Sequence, residues 1–408
     1  MRKFFTGLTI CGAIFVSSCG IIKESMPEPS EADLWKFGND IAFLDKNADC
    51  VVIGEGDSFI AISPKLQGRV MTSTLEGKDG YSLGWVNRKL IASGESESHR
   101  NLFGGEDRFW VGPEGTDFSV FFPANSLFVG ENWKIPAGLT SEPWKLTAHS
   151  DKQIRVEKEL SFANMKNQRF KAEVLREISY ISKENATKIL NLEVPDSVKC
   201  VAYQSLNKIT NKGDKPWSLE NGIISVSAMS CFHANKSTYG FVPYNEGDKL
   251  GNIITDTYNE PIGTDRLSIF PSFVRMRLDG TKIAEINMSP RRSKGILGTY
   301  DAERNILTIV TYIQPSTPRK YLPANWRRTN DIFDGDSVRL FNSGSRKEGD
   351  FDSPRFYETA TYSPALALEP EKSHIHVQRV FHFKGSEYEL GAIAYKLLGV
   401  SMKTLRPE

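Results

Sequence analysis

Four residues whose side chains could take part in chemistry lie close together in the sequence, within the first third of the chain. Asp107 and Arg108 follow a Gly-Gly pair at residues 104–105, where the backbone allows close approach of a ligand. A carboxylate and a guanidinium can bind vicinal hydroxyls or a sugar carboxylate through paired hydrogen bonds, and Trp110 can lie under a sugar ring. We therefore predict that Asp107, Arg108, Trp110 and Glu114 bind substrate. The alternatives are that Asp107 and Arg108 bridge each other, that Trp110 is core and that Glu114 belongs to a turn.

A late carboxylate, Glu358, lies between Tyr357 and Thr359 in a strand-like segment with partly apolar neighbours. Desolvation would raise the pKa of such a carboxyl group, as proton transfer near neutral pH requires. Glu358 is therefore a candidate catalytic residue, and a solvated strand residue is the alternative.

Three histidines share one face of a predicted strand from Ser373 to Phe383. His374, His376 and His382 alternate with apolar residues, which point to the opposite face. Two histidines at this spacing can chelate a metal, but such a face is more often merely hydrated, and we predict neither a metal nor a cofactor. With its unperturbed pKa near ~6.5, His376 is a candidate general acid.

An acidic loop over residues 331–336 superficially resembles a calcium-binding loop. It lacks the spacing of an EF-hand and the late bidentate glutamate, so we expect its aspartates to cap turns. We assign Asp336, the last of them, to substrate binding.

The chain begins with the pattern of a bacterial lipoprotein signal. A short basic and apolar run ends in Val16-Ser17-Ser18-Cys19-Gly20 and is shorter than the ~20 apolar residues that span a membrane. We predict a signal peptide over residues 1–18, lipid on Cys19 and a polar tether over residues 19–30. This places the protein in the bacterial cell envelope, with the outer membrane favoured; an ordinary secretory peptide is the alternative.

Charge and cysteine content restrict the partners. The 51 Lys plus Arg nearly balance the 50 Asp plus Glu, so no nucleic-acid surface is expected. Apart from the predicted lipidated cysteine, the chain after the signal peptide contains Cys50, Cys200 and Cys231. A disulfide between Cys200 and Cys231 is one option, but their strand-like surroundings favour buried free thiols.

Period-two alternation dominates from residue 50 onward. Strands are predicted at Ser58–Ile62, Gln153–Leu160, Lys188–Val194 and Ile306–Tyr312, and Asp279-Gly280 predicts a hairpin turn. Helical spacing near Phe37 and a capping box at Ser386 predict one short helix near each end. We therefore expect an all-β fold, a large antiparallel two-layer β-sandwich, forming a single domain over residues 31–408.

Three segments together resemble the galactose mutarotase-like (aldose 1-epimerase-like) superfamily. They are Pro64–Thr74 with Leu83–Asn87, Asn101–Glu114, and Phe356–Ala365 with His374-Ile375-His376. Taken with Asn211–Trp217, the resemblance spans nearly the whole chain after the tether. The chain looks closest to an uncharacterised branch of bacterial lipoproteins within that group.

The resemblance implies a very large two-layer β-sandwich with a carbohydrate cleft on one sheet. In the enzymes of the superfamily a late glutamate is the base and histidines supply the acid, which implies Glu358 as the base here. Phe103 stands where the family has a histidine before the Gly-Gly pair, and it can neither donate nor accept a proton. Ordinary aldose mutarotation is therefore not expected, unless His376 or Arg108 replaces that acid.

Three functions remain open at this point. The favoured one is an envelope-anchored lipoprotein with a carbohydrate-binding cleft, whose partners are a saccharide or glycan and the membrane through the lipid on Cys19. The second is a sugar epimerase, mutarotase or glycan-cleaving enzyme that uses Glu358 with His376. The third is a non-catalytic envelope interaction protein.

Overall fold

The structure is a computed structural model that describes residues 35–95, 102–256, 261–316, 319–324, 331–345 and 354–406. The predicted signal peptide, the lipidated Cys19 and the tether lie outside the described residues.

The described chain contains five α-helices and eighteen β-strands. The helices are α1 (Phe37–Ala48), α2 (Arg88–Ser93), α3 (Lys183–Leu190), α4 (Glu387–Leu398) and α5 (Met402–Leu405). The strands are β1 (Val51–Glu55), β2 (Ser58–Ser63), β3 (Arg69–Thr74), β4 (Arg108–Gly112), β5 (Lys145–Ser150), β6 (Gln153–Ala163), β7 (Arg169–Ile181), β8 (Lys199–Asn211), β9 (Ser225–His233), β10 (Thr238–Pro243), β11 (Leu267–Ile269), β12 (Phe273–Arg277), β13 (Ala284–Met288), β14 (Ile296–Asp301), β15 (Ile306–Tyr312), β16 (Val338–Asn342), β17 (Phe356–Tyr362) and β18 (Ser373–Lys384).

The strands form two layers. One layer is a ten-stranded sheet in the order β11-β12-β10-β14-β15-β18-β8-β7-β6-β5. The other contains a five-stranded sheet, β13-β16-β17-β9-β4, and a three-stranded sheet, β1-β2-β3, which an isolated bridge from Val70 to Asp107 joins to the start of β4. All ladders between these strands are antiparallel. The predicted antiparallel β-sandwich is confirmed.

The main core lies between the five-stranded and ten-stranded sheets. Apolar side chains from both sheets, such as Phe109 and Val380, belong to one buried cluster. Polar contacts also cross the interface, because Tyr357 Oη lies 2.8 Å from Thr299 Oγ1. These contacts fix which face of the five-stranded sheet points into the sandwich.

Helix α4 covers the other face of the ten-stranded sheet. It begins at the predicted capping box, in which Ser386 and Glu389 bond each other's backbone N–H groups, and it ends at Gly399 in the left-handed conformation. Its residues Leu390 and Ile393 pack with Phe381 and Phe383 of β18 in a second buried cluster. The predicted helix at this end is confirmed.

Two predictions of local structure are wrong. Residues 188–194 are not a strand, because Ser182 caps α3, which runs to Leu190 before Asn191 turns the chain. A short apolar run fits both helical and strand periodicity, and here the cap decides. Asp279-Gly280 does not close a hairpin either, since β12 belongs to the ten-stranded sheet and β13 to the five-stranded sheet. The turn, with Gly280 at a φ of 67°, instead carries the chain from one layer to the other.

Cys50, Cys200 and Cys231 are free thiols, as their strand-like surroundings predict. None of the described helices has the length and apolar character that a bilayer span needs.

Candidate functional site

One face of the five-stranded sheet carries a cluster of charged side chains. Residues paired across an antiparallel ladder point to the same side, and Arg108 pairs with Met229, Met229 with Ala360, and Ala360 with Arg339. Glu358 is two residues from Ala360 and therefore shares this side. We call it the charged face; it points away from the ten-stranded sheet.

Glu358 lies between two guanidinium groups. Arg108 Nη2 donates to Glu358 Oε2 at 2.9 Å, and Arg339 Nη2 donates to the other carboxylate oxygen. The thiol of Cys231 also lies 3.4 Å from Glu358 Oε2. The side chain of Glu358 is 4% exposed, against 10% for Arg108 and 11% for Arg339, so the two cations are the more accessible members.

Trp110 connects this ion pair to Glu114. The guanidinium carbon of Arg108 lies 4.9 Å from the centre of the Trp110 ring, and Trp110 Nε1 donates to Glu114 Oε1 at 2.8 Å. The ring also stacks on Phe121 and is 4% exposed. Trp110 is therefore not exposed for contact with a sugar ring, contrary to the prediction. Its indole instead packs against Arg108 and donates to Glu114.

Glu114 is partly buried beside the same two cations. Burial raises the pKa of its carboxyl group, and Arg339 and Arg108 oppose that shift only in part. Glu114 is therefore more readily protonated than an exposed glutamate.

Further polar groups complete the charged face. Tyr362 of β17 is close enough to Arg339, Glu114 and Asp336 for their charges to influence its pKa, which burial raises. Asp336 itself is 7% exposed, just before β16. Within the described part of the chain, the buried Tyr362 Oη and Arg339 Nε have no hydrogen-bond partner. Arg108, Glu114, Asp336 and Glu358 of the predicted site thus lie together.

Asp107 does not belong to this group. Side chains alternate along the chain here, so Asp107 points into the sandwich while Arg108 points out. There it is fully buried and accepts hydrogen bonds from Arg176, from Ser205 at 2.8 Å and from Gln378 at 2.8 Å. Asp107 and Arg108 therefore neither clasp one ligand nor bridge each other.

His376 also lies inside the sandwich and not on the charged face. It is 2% exposed, and its Nε2 lies 2.9 Å from Oγ1 of Thr361, whose side chain alternates with that of Glu358 along β17. Burial lowers the pKa of His376 to about 3, with a smaller contribution from His374. A neutral imidazole on the opposite side of the sheet cannot act with Glu358 on one substrate.

The other histidines of β18 have separate partners. His382 is fully buried, with Nδ1 at 2.8 Å from Thr308 Oγ1 and Nε2 at 3.1 Å from Glu106 Oε2. No group of three or more His, Cys, Asp or Glu in the described residues is arranged to hold a metal ion. In the acidic loop, Asp331 accepts the backbone N–H of Phe333 at 2.9 Å, as the turn-capping interpretation predicts.

A groove of about 620 Å³ lies in a different part of the molecule, between α3 and α4. Leu192, Ile393 and Tyr388 are among its lining residues, and none of the predicted site residues borders it. The chemistry on the charged face and this groove are therefore separate features.

Sequence reasoning missed Arg339, the second cation on Glu358. The only sequence signal for Arg339 is that this basic residue lies between two apolar residues, Val338 and Leu340. Both of these neighbours are buried. A charge in such a position usually has a partner, but the sequence does not identify it.

The family of the chain follows from a comparison of its sequence with known families. Residues 35–407 match a family of unknown function, DUF6786. The chain belongs to the DUF6786 family. No curated protein matches this DUF6786 chain.

Solved structures similar to the DUF6786 chain include three bacterial proteins. The Slr1438 protein from Synechocystis sp. PCC 6803 has 11% identity and a TM-score of 0.48, over 83% of this chain and 98% of that one. A galactose mutarotase related enzyme from Lactobacillus acidophilus has 9% identity and a TM-score of 0.44, over 82% and 97%. A galactose mutarotase-like protein from Lactobacillus casei ATCC 334 has 9% identity and a TM-score of 0.44, over 82% and 99%. The two Lactobacillus proteins are named for the galactose mutarotase-like group that the motifs of this chain indicate.

Proposed function

We propose that this protein binds a saccharide on the charged face and is held in the bacterial cell envelope by lipid on Cys19. The observation that carries the binding proposal is a pair of buried polar atoms, Arg339 Nε and Tyr362 Oη, without a hydrogen-bond partner in the described part of the chain. Such atoms cost free energy unless a ligand or a water molecule pairs them.

A sugar has the complementary chemistry. Each hydroxyl group of a pyranose both donates and accepts, so adjacent hydroxyls can accept from Arg339 and pair with the hydroxyl of Tyr362. Cations held rigidly by a carboxylate lose little freedom when a ligand binds, and Glu358 holds both Arg108 and Arg339 in this way. The motifs that resemble galactose mutarotase-like proteins favour the same ligand class.

Calorimetry with a panel of neutral hexoses, oligosaccharides, uronic acids and amino sugars tests the proposal. We expect at least one member to bind, and Tyr362→Phe to weaken that binding by about threefold to tenfold, the effect of one hydrogen bond. Tyr395→Phe is the matched control, because Tyr395 is 67% exposed on α4, away from the site. The proposal fails if no member of the panel binds, or if Tyr362→Phe and Tyr395→Phe bind equally well.

A further inference from the structure

We propose that Glu114 donates a proton to the oxygen of a glycosidic bond, so that the charged face cleaves glycosides as well as binding them. This inference depends on the saccharide site proposed above and adds a reaction to it.

The first argument is the position of Glu114 relative to Glu358. Glu114 accepts from Trp110, Trp110 lies against Arg108, and Arg108 donates to Glu358. Two carboxyl groups thus lie around one pair of cations, since Arg108 and Arg339 act on both. Paired carboxyl groups beside a sugar site are the usual equipment for glycoside cleavage.

The second argument is that the two carboxyl groups have different surroundings. Both oxygens of Glu358 accept from guanidinium groups, which favours the negatively charged form. Glu114 accepts from a neutral indole, and only one of its oxygens makes that bond. The raised pKa of Glu114 suits it to the role of acid, whereas the two cations keep Glu358 in its charged form.

The third argument is access. Glu114 is a partly exposed residue, whereas Glu358 is 3% exposed. The charged and titratable groups that face Glu114 are Arg339 of β16, Arg108 of β4, Glu285 of β13 and Tyr362 of β17. Burial raises the pKa of Glu114 despite the two cations among them.

The reaction balances with water as the co-reactant. The proton of Glu114 passes to the glycosidic oxygen while the bond from that oxygen to the anomeric carbon breaks, and the pair of electrons leaves with the oxygen. The carboxylate of Glu358 offsets the positive charges of Arg108 and Arg339 at the site while the anomeric carbon is cationic. Water then adds to that carbon and returns its proton to Glu114, so that one glycoside and one water give two hydroxyl compounds.

The test compares wild-type protein with Glu114→Gln on aryl glycosides of each sugar that the protein binds. We expect Glu114→Gln to lower kcat/KM by about 10²–10⁴-fold on 4-methylumbelliferyl glycosides, whose leaving group benefits from a proton. On 2,4-dinitrophenyl glycosides, which leave without one, the loss is expected to be less than tenfold. The fall in wild-type activity at alkaline pH should disappear in Glu114→Gln.

Glu184→Gln serves as the control, since Glu184 is an exposed glutamate of α3, which packs in the same buried cluster as α4 on the other face of the ten-stranded sheet. If Glu114→Gln fails to fold, a pH titration of the carboxyl carbon-13 resonance of Glu114 in the wild-type protein provides a second measurement. We expect its midpoint to lie above the ordinary pKa of a glutamate, and a midpoint at or below that value overturns the inference. Sugar binding without turnover of any glycoside also overturns it and leaves the saccharide site intact. Absence of sugar binding overturns the proposed function itself.

Discussion

Glu358 Oε2 and Arg108 Nη2 lie 2.9 Å apart although 250 residues separate them in the chain. The carboxylate bonds at the same time to Arg339, so it connects side chains of β4 and β16 across the face of β17. Glu358 therefore acts as the shared counterion of two buried guanidinium groups.

Glu358→Gln should destabilise the fold. An amide of the same shape leaves two enclosed cations without their anion, and loss of one partner from a buried ion pair costs about 3–5 kcal/mol. Urea denaturation measures the change in the free energy of unfolding. Glu177→Gln is the matched control, because Glu177 pairs with Arg155, whose side chain is 42% exposed, and such a pair contributes about 0–1 kcal/mol. Equal effects of the two substitutions would contradict this role for Glu358.

The same substitution should change which ligands bind. Without the carboxylate, Arg108 and Arg339 can bind an external anion through their parallel N–H groups. We expect Glu358→Gln to bind glucuronate more tightly than the wild-type protein does, by at least tenfold in calorimetry. An unchanged affinity for glucuronate would show that Glu358 does not occupy the anion site.

Asp107→Asn tests the buried ion pair inside the sandwich. Asp107 and Arg176 are both fully buried, so removing the negative charge leaves Arg176 without compensation. We expect a loss of about 3–5 kcal/mol in the free energy of unfolding, with no direct effect on the proposed sugar binding at the charged face. A variant that keeps its stability but loses sugar binding would place Asp107 in the binding site after all.

His376 should remain neutral throughout the neutral and mildly acidic range. Burial lowers its pKa from 6.5 to about 3, so the unfolded chain takes up a proton that the folded protein does not between these values. The stability contributed by the neutral imidazole is present above pH 6.5 and falls as the pH decreases toward 3. We expect His376→Gln to reduce the slope of unfolding free energy against pH in this interval, as measured by urea denaturation in a series of buffers. An NMR titration of the imidazole with a midpoint near 6.5 would contradict the effect of burial.

Cys19→Ala should release the protein from the membrane. The proposed lipid on Cys19 would anchor the protein through its hydrocarbon chains, which the Cys19→Ala protein cannot carry. Metabolic labelling with a radioactive fatty acid and fractionation of the envelope measure the change. Labelling of the Cys19→Ala protein, or its continued recovery with membranes, would contradict lipidation at this residue.

Local signals in the sequence were enough to predict several elements. A capping-box pattern at Ser386 and Glu389 before apolar residues at helical spacing predicts helix α4, and histidines that alternate with apolar residues predict β18. Alternation shows which side chains of a strand point into the sandwich only when one face of the strand is apolar and the other is polar.

The site was harder to predict because its strands are buried on both sides. In β4, Arg108, Phe109 and Trp110 are all buried, so the pattern does not reveal which side chain points outward. For the same reason Asp107 was grouped with Arg108, and His376 with Glu358. Arg339 was missed because its partner is set by the pairing of β16 with β17, which the sequence does not show.

The strand order has a consequence for biosynthesis. Strand β4 is the earliest member of the five-stranded sheet, yet its neighbour β9 begins more than a hundred residues later, and β17 comes later still. A nascent chain that has emerged only to residue 330 carries Arg108 and Trp110 but lacks both Arg339 and Glu358, so a product terminated there cannot assemble the ion pair. Maturation of the site therefore waits until synthesis is almost finished, as expected of a protein rich in contacts between distant segments.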